Sequence, residues 1–193
     1  MKKIGVLAIQ GAFREHKEML DKIADVTGVL VKYEKELGEI DGLIIPGGES
    51  TAMGKLLRDF GLLEPLKAKI KAGLPVWGTC AGMILLAKKL VNDDTVHLEV
   101  MDIEVTRNGY GRQLGSFETT IQIPEFSVDE IPLVFIRAPY AVSVGDNVDI
   151  LLEVDGRIVA CQQGNMLATA FHPEITNNLA FHKYFVRMIS QYC

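Results

Sequence analysis

The sequence predicts an α/β fold: a mostly parallel sheet flanked by helices on both faces, with additional antiparallel strands in the second half. Three observations carry this. In the first half, short apolar runs alternate with segments of helical spacing. Those runs are continuously apolar, as strands are when a parallel sheet is covered on both faces. From Val100 onward, strand-like segments separated by turn residues follow one another until a closing helix.

Each element has its own signal. Lys3–Ile9 is an apolar opening strand, Phe13–Ile23 has helical spacing (Phe13, Met19, Leu20, Ile23), and Thr27–Val31 is a second strand. Gly42–Ile45 is a third, ended by Pro46-Gly47-Gly48. Thr51–Phe60 and Leu62–Ala72 are helical, with Gly61 between them and Gly73 as a stop. Pro75-Val76-Trp77 is a buried strand. The helix expected after it carries Met83, Leu86, Ala87 and Leu90, with Lys88 and Lys89 in its last turn. Val100–Val105, Phe117–Ile123, Val134–Ile136, Ile150–Val154, Arg157–Gln162 and Leu167–Phe171 are the later strands. Asp155-Gly156 suits a hairpin turn, and a helix from about Asn178 closes the chain.

At 193 residues, 48% hydrophobic and 23% charged, one soluble domain over 1–193 is expected. The net charge of −5 argues against nucleic acid or an anionic membrane as partner. No run approaches the roughly 20 apolar residues that span a bilayer. Met1-Lys2-Lys3 and the apolar residues after it are too short for a signal peptide, and no cleavage site follows. Three scattered cysteines without a Cys-x-x-Cys exclude a disulfide framework and indicate the cytoplasm.

In an open parallel sheet, sites form at the carboxyl ends of strands. Gln10-Gly11, Pro46–Thr51 and Gly78–Gly82 all lie at such ends. Gly78-Thr79-Cys80-Ala81-Gly82 has the form of a nucleophile elbow, with sulfur held at a helix N-terminus whose dipole favours thiolate. Taken alone, it is equally a small buried cysteine in a strand-turn-helix. Phe171-His172-Pro173-Glu174 follows the last strand. If the trace stays extended, His172 and Glu174 project to one side as base and orienter. In Pro46–Thr51, Ser50 or Thr51 can cap the next helix. Its glycines suit a phosphate loop lacking the P-loop lysine, a plain tight turn, or an oxyanion hole formed by the Gly48 and Ala81 N–H groups. The last is the most economical.

Gly-Gly-Glu-Ser, Gly-Thr-Cys-Ala-Gly and Phe-His-Pro-Glu, in that order, resemble the triad-type (class I) glutamine amidotransferases, whose sheet is flavodoxin-like. Within that family the chain is most similar to the glutaminase subunits of pyridoxal 5′-phosphate synthase. The resemblance extends over Gln10–His16, Arg107-Asn108-x-x-Gly111-Arg112-Gln113 and Phe135-Ile136-Arg137-Ala138-Pro139. It implies a Cys80, His172, Glu174 triad hydrolysing L-glutamine through a thioester, with the oxyanion held by Gly48 and Ala81. It implies glutamine contacts at Gly48, Glu49, Ser50, Arg107, Ile136 and Arg137, and no metal or organic cofactor. It also implies ammonia channelling to a barrel-shaped synthase (lyase) subunit that activates the glutaminase within a hetero-oligomer. Gln10, beside the oxyanion loop, is the candidate for sensing that partner.

Three other readings remain on the residues alone: an amidotransferase serving a different synthase, a stand-alone cysteine hydrolase, and a catalytically silent glutamine sensor. Cys161 is expected to be a buried hydrophobe and Cys193 frayed. His97 and His182 are expected to be structural or on the surface, and His16 a helix-surface contact.

Overall fold

A computed structural model describes residues 1–110, 115–123, 126–127 and 129–192. Gly111, Arg112 and Gln113 of the Arg-Asn motif, and Cys193, lie outside the described residues. The first half alternates as its periodicity requires: β1 Lys2–Leu7, α1 Phe13–Asp21, β2 Val26–Val31, β3 Gly42–Ile45, α2 Ser50–Asp59, α3 Leu63–Lys71 and β4 Val76–Thr79. There follow α4 Ala81–Leu86, β5 Ala87–Leu90, β6 Met101–Thr106, β7 Ser116–Ile121, β8 Ile131–Ile136, β9 Tyr140–Val144, β10 Asp149–Val154, β11 Arg157–Gln163, β12 Met166–Thr169 and α5 Ala180–Ile189. Single 3₁₀ turns occupy Glu34–Gly38 and Pro173–Ile175.

The main sheet runs β2-β1-β3-β4-β12-β11-β9-β6-β5, with β10 on β11. From β2 to β12 the pairing is parallel throughout. From β12 through β11 and β9 to β6 it is antiparallel. The parallel portion is continuously apolar because it is covered on both faces: every residue of β3 and β4 is buried. Its uniform direction brings the ends of β1, β3, β4 and β12 to one edge, where the sequence places its motifs.

Two elements differ from the sequence expectation. The helix after Cys80 stops at Leu86, where Ala87 turns extended (φ −61°, ψ 140°). Ala87–Leu90 then pairs with β6 as a strand. Ala87 and Leu90 are buried and Lys88 and Lys89 exposed, a pattern that fits a helix turn as well as a short edge strand. Pairing with β6 decides it, and the lysines complement no helix end. Second, Tyr140–Val144 lies outside the expected strands but forms β9, with Tyr140, Val142 and Val144 alternating along it as in a strand. It fills the gap between β11 and β6. The expected hairpin turn forms between β10 and β11, with Asp155 (φ 50°) and Gly156 (φ 71°) both left-handed.

β7 and β8 form a separate two-stranded hairpin. Phe135 of β8 stacks on Phe117 at 4.5 Å and meets Phe171 edge-on at 5.7 Å, which anchors the hairpin beside the end of β12. Among the described residues no helix is long and apolar enough to cross a membrane.

Candidate active site

Cys80 sits between β4 and α4 with φ 48° and ψ −105°, a region that a non-glycine residue enters at a cost of about 1–3 kcal/mol. Such strain is tolerated where the surroundings over-determine it. The Cys80 N–H donates to the Thr169 carbonyl at 2.8 Å, tying the turn to β12. The flanking glycines serve close approach. A Cβ on Gly78 would lie 2.5 Å from the Gly82 backbone, and one on Gly82 would lie 2.2 Å from the Ile45 carbonyl oxygen. α4 therefore lies directly over β3 and β4, and all six of its residues are buried.

His172 arrives by a different route from the one expected. The strand ends at Thr169, and His172 (φ −110°, ψ 82°) precedes the 3₁₀ turn Pro173–Ile175. It is that turn, with Pro173 at its start, and not an extended trace, that sets Glu174 beside the imidazole. His172 Nδ1 lies 2.7 Å from Glu174 Oε1. The His172 N–H donates to the Val134 carbonyl at 2.8 Å, so β8 fixes its backbone. Burial would lower the imidazole pKa, but hydrogen bonds to Cys80 and Glu174 and attraction to both outweigh it and raise the value to about 10. His172 is thus protonated at neutral pH. Cys80 is 7% exposed, and its sulfur also approaches the Ile136 carbonyl at 4.0 Å.

The sulfur opens into a cavity of about 590 Å³, large enough for a free amino acid. Gln10, Gly48, Glu49, Ser50, Cys80, Ala81, Arg107, Ile136, Arg137 and His172 all line it, together with Gly11, Ala12, Gly47, Ile84, Asn108 and Pro139. Glu174 stands behind His172, away from the cavity wall.

The loop after β3 is braced from β1. The Ala12 N–H donates to the Gly47 carbonyl at 3.0 Å and the Glu49 N–H to Gln10 Oε1 at 3.0 Å. Glu49, not Ser50 or Thr51, caps α2. Its carboxylate accepts from the Thr51 N–H at 3.0 Å and the Ala52 N–H at 2.7 Å, which lowers its pKa. Ser50 is the first residue of the helix and buried. Arg107 is held by Asp93 Oδ2 and Thr51 Oγ1, each at 3.2 Å. Ile136 and Arg137 form an exposed rim at the end of β8, Arg137 with φ 44°.

Among the histidines, His16 departs from expectation. His16 is not on a helix surface: it is wholly buried, with Nδ1 3.0 Å from His182 Nε2 and Nε2 3.2 Å from Thr79 Oγ1. Helical spacing already places position 16 on the face of Phe13, Met19 and Leu20, and that signal could have found it. His182 and His97 are also buried. No spacing signal links Asp93 to Arg107. Cys161 is a buried thiol in β11, and burial pushes its pKa up to about 12.

The profile of the SNO glutamine amidotransferase family matches residues 6–191. The chain belongs to that family. This amidotransferase is 64% identical over 189 residues to pyridoxal 5′-phosphate synthase subunit PdxT of Ruminiclostridium cellulolyticum, covering 98% of this chain and all of the relative. It is 56% identical over 188 residues to PdxT of Thermoanaerobacter sp. strain X514, covering 97% of this chain and all of that relative. A crystal structure described as a glutamine amidotransferase superposes with a TM-score of 0.90 at 39% identity, over 97% of this chain and 98% of the other.

Proposed function

We propose that this chain is a glutaminase subunit that hydrolyses L-glutamine to L-glutamate and ammonia, the ammonia passing to a partner synthase subunit for pyridoxal 5′-phosphate synthesis. The high identity to PdxT subunits supports the pathway. The observation that carries the chemistry is the strained Cys80 at a cavity wall, with His172 and Glu174 aligned behind it.

In this reading the substrate's α-carboxylate pairs with a guanidinium of Arg107 or Arg137, whose planar fork matches it. Gly48, Glu49, Ser50 and Ile136 complete the glutamine contacts. Cys80 Sγ attacks the side-chain amide carbon, its proton resting on His172. The oxyanion is held by the N–H groups of Gly48 and Ala81, the latter at the first position of α4, where an N–H has no helical acceptor. His172 gives its proton to the nitrogen as the C–N bond breaks, releasing ammonia and leaving a thioester. The now neutral imidazole takes a proton from water, which attacks the thioester. Collapse of the tetrahedral adduct expels the Cys80 thiolate and frees glutamate, whose carboxyl proton passes to solvent, while the proton taken from water stays on His172 as in the resting enzyme. Glu174 holds the imidazole tautomer and stabilises its cation. Each step uses groups of this chain and water.

The same reading makes residues 1–193 one amidotransferase domain working in the cytoplasm, with a barrel-shaped synthase as its macromolecular partner rather than nucleic acid or membrane. Gln10, bonded to the Glu49 N–H, is placed to report partner docking to the oxyanion loop. Gln10→Ala with undiminished partner stimulation removes that role. The deciding experiment is glutamate release from glutamine with and without the synthase partner, for wild type and Cys80→Ala. Turnover that needs both Cys80 and the partner is expected. No turnover by a folded, partner-bound wild type overturns the reading in favour of a glutamine sensor.

A further inference from the structure

Glu174 is 5% exposed, and only its Oε1 is accounted for by His172. Oε2 is buried without a hydrogen-bond partner, an arrangement that proteins avoid for a carboxylate. The group facing it comes from α1: His16 Nε2 lies 3.4 Å away. That contact is within ion-pair reach but is not aligned as a hydrogen bond, so an N–H there acts on the carboxylate chiefly as a dipole.

Where the hydrogens lie follows from elimination. A neutral imidazole carries one N–H and one acceptor nitrogen. Burial holds both His16 and His182 neutral, the latter with its pKa lowered to about 3. His182 Nδ1 is buried without a partner, and a bare acceptor there is less costly than an orphaned N–H. The His182 hydrogen therefore sits on Nε2 and is donated to His16 Nδ1, 3.0 Å away. His16 must then carry its own hydrogen on Nε2, between Thr79 Oγ1 at 3.2 Å and Glu174 Oε2. The reverse assignment turns a lone pair toward the carboxylate and strands the His182 Nδ1–H.

We propose that His16, its tautomer set by His182, is a positioning residue of the triad: its Nε2–H faces Glu174 Oε2 and keeps Oε1 directed at His172. The proposal rests on the triad reading above. The line Cys80, His172, Glu174, His16, His182 then runs from the cavity to α5. The other groups that bear on it are Thr79 at the end of β4 and Lys22, whose charge disfavours a proton on His182.

The test compares His16→Phe, which keeps a ring and removes the N–H, with His16→Gln, which restores an N–H at similar reach. Both are assayed in complex with the synthase partner. For His16→Phe, kcat falls about 10- to 100-fold with KM nearly unchanged, and the alkaline limb of the kcat profile moves to lower pH as His172 loses part of the Glu174 support that raises its pKa. His16→Gln keeps kcat within about threefold and leaves the profile in place. Equal losses in both variants, or a folded His16→Phe with wild-type kcat and profile, overturn the proposal. Histidine-¹⁵N spectra of the wild-type protein give a readout independent of turnover, since the chain has 4 histidines to assign. His16 and His182 are expected as neutral Nε2–H tautomers across about pH 6–8. A cationic or Nδ1–H His16 overturns the proposal, even if His16→Phe does not fold. A silent wild-type complex counts against the glutaminase reading instead, and the spectra still decide the tautomers.

Discussion

A methyl group on Gly47 should displace the His172 imidazole while leaving Cys80, His172 and Glu174 themselves unsubstituted. A Cβ built there lies 2.5 Å from His172 Cε1, 3.1 Å from Nδ1 and 3.3 Å from Cys80 Cβ. Carbon contacts settle at about 3.5–4.0 Å, so the ring must retreat by about 1 Å. It cannot do so and keep its 2.7 Å bond to Glu174 Oε1. A hydrogen bond to a charged group contributes about 1.5–3 kcal/mol, so its loss in the transition state lowers kcat by about 10- to 150-fold. A misplacement of about 1 Å gives a similar figure, on the order of 100-fold. The assay is steady-state glutamate release by Gly47→Ala in complex with the synthase partner, with circular dichroism to verify the fold. Gly38→Ala is the control, because nothing lies within 4 Å of a Cβ at that position. It should match wild type. A folded Gly47→Ala with kcat within about twofold of wild type would refute the claim that His172 is held by this packing.

Two further outcomes follow from the same region. Trp77 Nε1 donates to Thr169 Oγ1 at 3.0 Å with both residues fully buried, so Thr169→Val strands the indole N–H at a cost of about 1–3 kcal/mol. Thermal unfolding should drop by about 2–4 °C per kcal/mol and recover in Thr169→Ser; an unchanged midpoint contradicts the bond. For His172, the folded pKa of about 10 stands above the unfolded value of 6.5. The stability it contributes is therefore complete below about pH 6.5 and is lost as pH rises through about 10. Denaturant titrations of wild type and His172→Gln should converge over that window, and a gap that widens with pH would show the sign to be wrong.

Local patterns accounted for much of the architecture. Short runs such as Gly42–Ile45 are strands because continuous apolarity, bounded by turn residues, suits a sheet covered on both faces. Asp155-Gly156 forms its hairpin because two successive left-handed residues match the twist of the flanking strands. Signals of this kind act over a few residues, so one sequence suffices to read them. β5 is harder to read because Ala87–Leu90 becomes a strand only through the neighbour it pairs with.

The candidate site divides along the same line. The sequence by itself determined which residues could meet: glycines on both sides of Cys80, Pro173 beside His172, and strand ends that a parallel sheet must bring to one edge. Only the tertiary structure decided how they meet. It placed positive φ on Cys80 itself, used Glu49 as the cap of α2, and set Asp93 against Arg107. It also buried His16 between Glu174 and His182, residues more than 150 positions away in the chain. The physical reason is range. Backbone preference and periodicity act locally, whereas the partner of a buried polar group is whichever side chain the packed core brings within about 3 Å.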